Sequence, residues 1–152
     1  MTQSDEPTTQ PSGQDVALIV GGGPGISSSC ARLFAKNGMR VAIAARNPDK
    51  SVLQNLEKTH GVRRYACDAS EAAAVELLFQ NVVRDLGTPT LVVHNIDGRA
   101  AGIFRKGIID ADPAMALDTV RNSPFSAFSV GQQAARLLRE RGIITDLTPL
   151  VI

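Results

Sequence analysis

The sequence predicts an α/β fold, an open parallel sheet with helices on both faces. Three observations carry this. Short β-prone runs alternate with amphipathic helical stretches along the chain, and strand–helix alternation demands right-handed crossovers and parallel strands. The strand runs are apolar at consecutive positions, as strands covered on both faces are. A glycine-rich turn joins the first strand to the first helix. With 152 residues, 43% of them hydrophobic, and a net charge of +1, the chain is long enough for a real core and too apolar for general disorder. The charge balance argues against a nucleic-acid or membrane-surface role, which calls for a basic patch.

The polar stretch 1–14, with Pro7, Pro11 and Gly13, is expected to be a flexible tail. Residues 15–152 are expected to form one domain. Its first strand is Val16 to Val20, far too short to span a bilayer. After the turn, Ile26, Cys30, Leu33 and Phe34 mark one face of a helix, which Asn37-Gly38 ends. Arg40 to Ala45 is the second strand. Asn47-Pro48-Asp49 opens a helix running to His60, and Gly61 stops it. Arg63 to Cys67 is the third strand.

Ser70 is placed to cap the next helix, whose apolar stripe is Val75, Leu78, Phe79, Val82, Val83 and Leu86. Pro89 to His94 is the fourth strand. Asp112-Pro113 starts a last helical region that reaches Arg141, with a kink or break expected at Pro124, which lacks an N–H. Gly142 to Thr145 offers a fifth strand. The predicted strand order is 3-2-1-4, with a fifth strand beyond the fourth. Ligands of such sheets bind beyond the strand C-termini, at the switch point between strands 1 and 4.

The segment Val20-Gly21-Gly22-Gly23-Pro24-Gly25-Ile26-Ser27 carries the strongest chemical signal. Glycines let a backbone approach a pyrophosphate, and a helix N-terminus offers free N–H groups and the positive end of a dipole. The hydroxyls of Ser27, Ser28 and Ser29 either donate to that phosphate or fill the helix's first turn. His60 reads as a helix C-terminal residue and His94 as a strand-end residue beside the crevice. Cys30 and Cys67 read as small core residues; two cysteines make no disulfide framework, and no basic or apolar leader opens the chain. The expected compartment is therefore the cytoplasm. No metal-ligand spacing is present.

The glycine turn resembles that of the short-chain dehydrogenase/reductase family, Thr-Gly-x-x-x-Gly-x-Gly, with valine for threonine and Ser27 for the last glycine. Three further landmarks agree in order: Ala44-Ala45-Arg46-Asn47, Cys67-Asp68, and His94-Asn95-Ile96-Asp97, where the family carries Asn-Asn-Ala-Gly. The resemblance covers residues 15–140 and implies a Rossmann-like fold shorter than the family's usual domain. It implies a dinucleotide cofactor held by Gly21, Gly23, Gly25, Ile26, Ser27, Arg46, Asp68 and Asn95. Ala45 occupies the position of the acidic residue that selects NAD, and Arg46 follows it, so NADP is the expected cofactor, with NAD as the second choice. Asp68 either lies beside the adenine or begins a turn. Asp97 puts a negative charge where the family has glycine.

The family's catalytic tyrosine has a lysine four residues on. This chain's single tyrosine is Tyr65, and Ala69 stands four residues later. Residues 143–148 supply no serine at the family's third catalytic position. The relay asparagine corresponds to Asn122 by residue type, or to Ser123 when Phe125 and Phe128 set the register. No catalytic residue is therefore assigned. Three functions follow: an oxidoreductase of alcohols and ketones, a cofactor-binding or regulatory module, or a truncated inactive remnant. Lacking a cover beyond the fifth strand, the chain is also expected to self-associate.

Overall fold

A computed structural model describes residues 15–142; the tail 1–14 and the fifth strand at 143–145 lie outside them. Val16–Val20 (β1) sits at the centre of the sheet, every residue buried. It pairs in parallel with Arg40–Ala45 (β2) on one side and Leu91–His94 (β4) on the other. Arg63–Ala66 (β3) pairs with β2, so the order is β3-β2-β1-β4. The chain reverses direction across the sheet between β1 and β4, and the switch point therefore lies where it was expected.

Because side chains alternate across a strand, β1 feeds two cores. Val16, Leu18 and Val20 face Ala72–Leu86 (α3) and Ser126–Glu140 (α5), through Val75, Leu78, Phe79, Val82 and Val130. Ala17 and Ile19 face Ile26–Lys36 (α1) and Ser51–His60 (α2), through Ala31, Leu53 and Leu56. Gly38 and Gly61 take positive φ (81° and 65°) behind α1 and α2, as those stop signals require.

Four local expectations are corrected. The buried side of α1 is Ser27, Ser28 and Ala31, while Ile26 and Leu33 are 66% and 56% exposed. Cys30 and Phe34 only flank the core. The helix enters so close to β1 that small residues must face the sheet. Glu71, not Ser70, holds the cap position of α3, because the Ser70 hydroxyl donates to Asp68 instead. β3 stops at Ala66 and β4 starts at Leu91, one and two residues inside the expected bounds. β4 is only half-buried along its length, since it is an edge among the described strands.

The last helical region behaves as its sequence demands. The Asp112 side chain accepts from Ala114 N–H at 2.9 Å and caps Pro113–Val120 (α4). Pro124 removes a helical donor, and the chain answers with a π-helical turn over Arg121–Phe125 before α5 resumes.

Candidate functional site

The strand C-termini open into a cleft of about 660 Å³ between the glycine turn, the β2–α2 loop, the start of the β3–α3 loop and the segment after β4. Its floor is the strand ends themselves, Val20, Ala44, Ala45 and Cys67.

Gly21 is the tightest point. Its φ is 107°, and a Cβ there would sit 2.1 Å from the Asn95 carbonyl oxygen. Only glycine lets β1 turn against the end of β4. Gly21 N–H and Gly22 N–H both donate to Ala44 O, at 2.9 and 2.8 Å, which clips the turn to β2. Ser27, 1% exposed, donates its hydroxyl to Gly21 O at 2.7 Å and accepts from Asn95 Nδ2 at 2.8 Å. The residue standing for the family's last glycine is thus a bridge from α1 to the turn and to β4. Ser28 donates to Gly23 O at 2.6 Å. The hydroxyls of Ser27 and Ser28 are engaged by the turn's own carbonyls, in keeping with the first-turn reading of the two alternatives. Ser29 is exposed, and its oxygen accepts from Arg32.

What the turn leaves open is backbone. The first helical bond of α1 runs from Ser29 N–H to Gly25 O, and no side chain caps the helix. The N–H groups of Ile26, Ser27 and Ser28 have no partner within the helix. Gly23 and Gly25 have no heavy atom within 4 Å of where a Cβ would point. This combination of uncapped donors, dipole and open backbone fits a phosphate or pyrophosphate group.

Of the residues expected at the site, Gly21, Gly23, Ser27, Arg46, Asp68 and Asn95 line the cleft. Gly25 and Ile26 stand just past that lining, where they turn the chain into α1 and offer backbone alone, and the Ile26 side chain points outward. Arg46 is exposed on the β2 side. Asp68 accepts from the backbone N–H and hydroxyl of Ser70, at 3.0 and 2.7 Å. Those bonds, with the fields of Arg46 and Arg121, hold its carboxyl below the usual range. Asp68 is therefore both a turn former and a cleft residue. Burial pushes the Cys67 thiol up to about 11, helped by Asp68, so it stays protonated. Asp97 does not point a bare charge at the cleft. Arg99 grips both its oxygens and lowers its pKa.

Other residues settle away from the expected roles. His94 Nε2 is 2.8 Å from Ser126 Oγ on the α5 side, outside the cleft lining. Burial lowers the pKa of His94. Ser126 is 0% exposed and its oxygen also lies 2.8 Å from Asn122 O, so this serine–histidine contact is a strut and no nucleophile. Tyr65 pairs with Ala44 but is outside the cleft lining: its hydroxyl donates to Asp85 at 3.1 Å near the end of α3, and burial followed by that bond pushes it up to about 12. Asn122 lines the cleft, whereas Ser123 packs against Gly98, where a Cβ would be 2.7 Å away. Sequence reasoning missed Lys50, whose Nζ donates to Gly22 O at 3.1 Å and lines the same cleft. Its only signal was position, four residues after Arg46 in the same loop.

A parallel sheet with order 3-2-1-4 and a cleft at the β1/β4 switch point define a Rossmann-like α/β domain. A family model described as Enoyl-(Acyl carrier protein) reductase matches residues 21–151. The chain belongs to the short-chain dehydrogenase/reductase family of oxidoreductases, whose N-terminal part it covers. It is 31% identical over 96 residues to human 3-oxoacyl-[acyl-carrier-protein] reductase, which is 62% of this chain and 38% of that protein. It is 38% identical over 88 residues to an uncharacterised oxidoreductase of Caenorhabditis elegans, 55% of this chain and 28% of that one. A crystal structure of a variant of actinorhodin polyketide ketoreductase with NADPH superposes with a TM-score of 0.75 at 28% identity, covering 85% of this chain and 50% of that one. The chain thus spans half or less of the relatives it matches. Among the described residues, no helix is long and apolar enough to cross a membrane.

Proposed function

We propose that the cleft holds a nicotinamide dinucleotide, NADP(H) in preference to NAD(H), and that the chain is the cofactor-binding part of an oxidoreductase acting on alcohols or ketones. The carrying observation is the uncapped N-terminus of α1 behind a glycine turn, on one rim with Arg46. The ketoreductase that this chain resembles was solved with NADPH, which supports the cofactor class. When bound, the cofactor supplies hydride chemistry. The protein's part is to hold it. Backbone N–H groups at Ile26 and Ser27 take the pyrophosphate, with Gly21, Gly23 and Gly25 giving close approach. Asp68 lies beside the adenine, Arg46 takes the 2′-phosphate, and Asn95 with Ser27 fixes the wall.

The isolated chain turns over no alcohol or ketone. Its one tyrosine is outside the cleft lining, tied to Asp85 and hard to ionise, while a positioned acid/base contributes about 10²–10⁴-fold. A steady-state assay with a panel of alcohols and ketones checks this, and turnover abolished by Gly25→Asp would refute it. The exposed stripe Leu117, Val120, Phe125 and Phe128 supports self-association, which light scattering reads. Free Cys30 and Cys67 favour a reducing cytoplasm. For the cofactor, calorimetry on Arg46→Ala should show a selective loss of NADP(H) affinity, on the order of 1.5–3 kcal/mol for a charge-assisted contact. Equal loss for both cofactors, or no binding by the parent chain, refutes the assignment.

A further inference from the structure

We infer that Lys50 is a second anion anchor of the cleft, sharing a phosphate monoester with Arg46 while it tethers the glycine turn; this rests on the dinucleotide reading above. Lys50 precedes α2, and its ammonium donates to the neutral Gly22 carbonyl at 3.1 Å. An ammonium has three donors, so two remain. A neutral carbonyl fixes the ammonium without cancelling its charge, which stays available to an anion.

Of the carboxylates around this loop, two are held by Arg64, Asp49 at 2.9 Å and Glu57 at 2.7 Å, and Asp68 is bonded to Ser70 at 2.7 Å and meets Arg46 only through its field. Neither Arg46 nor Lys50 forms an ion pair among the described residues, and both line the cleft. Two cations on one loop match a phosphate monoester, which carries about −1.5 to −2 charges at pH 7. Lys50 also reaches the turn that forms the pyrophosphate cradle, so one side chain spans both phosphate subsites.

The two roles separate by cofactor. The tether serves NADPH and NADH alike, whereas the anchor serves only the 2′-phosphate. The full chain, Lys50→Met, Lys50→Arg and Arg46→Ala are titrated calorimetrically with NADPH, NADH and 2′-phospho-ADP-ribose, with circular dichroism to confirm folding. Lys50→Met should lower the NADPH-to-NADH affinity ratio about tenfold, with a parallel loss for 2′-phospho-ADP-ribose, and Lys50→Arg should restore most of the ratio. An unchanged ratio in Lys50→Met, with or without a common loss, overturns the inference even where Arg46→Ala is selective. Failure of Arg46→Ala to change the ratio overturns the reading beneath it.

Discussion

The β3 edge of the sheet and the cleft use the same kinds of residue to opposite effect. Beside β3, Tyr65, Asp85, Arg63 and Arg84 satisfy one another: Tyr65 donates to Asp85, which is paired with both arginines. In the cleft, the turn is held by internal bonds, yet backbone donors of α1 and the charges of Arg46 and Lys50 are left over. Polar groups that consume one another make a scaffold. Polar groups fixed in place with capacity to spare make a site. Tyr65 shows how a residue of the right chemical type can be consumed by the first kind.

The largest break in this contrast is at Gly21. Gly21→Ala should destabilise the chain by at least about 2 kcal/mol, because the new Cβ meets a backbone carbonyl and φ is positive. Gly23→Ala, with open space at its Cβ, should melt near the parent, and thermal denaturation of the pair separates the effects. Next comes Ser27→Ala. It strips the Asn95 amide and Gly21 carbonyl of their shared partner, and should cost about 1–3 kcal/mol as buried polar groups go unsatisfied. Denaturant unfolding measures it, and a loss of dinucleotide affinity beyond the stability change should accompany it.

Away from the cleft, beside β3, the effects shrink. Tyr65→Phe should cost less than about 1 kcal/mol on that partly solvated rim and leave dinucleotide binding unchanged. Its pH signature has a definite sign. The folded tyrosine titrates at about 12 against 10 unfolded, so it stabilises the fold below pH 10, and that contribution is lost as pH rises from 10 towards 12. The parent should lose its advantage over Tyr65→Phe in that window and then fall below it in alkaline denaturation. A parent that gains on Tyr65→Phe as pH rises would contradict the assignment.

The sheet order, the glycine turn and the Pro124 break were legible because each rests on local chemistry: apolar runs, a forced positive φ, a missing N–H. The α1 face was not. Ile26, Cys30, Leu33 and Phe34 fit a helical period, yet Ser27, Ser28 and Ala31 are buried, since the proximity of helix and strand is a tertiary demand for small side chains that hydropathy does not encode. Arg46 was legible from its strand-end position and Lys50 was not, because its link to Gly22 spans 28 residues. Asp97 was read as a stray charge although its partner Arg99 stands only two residues on, a pairing that spacing alone does not dictate.

The most direct test of the contrast is an amide-resolved NMR titration of the chain with NADPH. Shifts confined to Gly21–Ser28, Arg46, Lys50, Asp68 and Asn95, with Tyr65 and Asp85 silent, are the expected result. Shifts centred on Tyr65 and Asp85, or none anywhere at millimolar cofactor, would contradict the account.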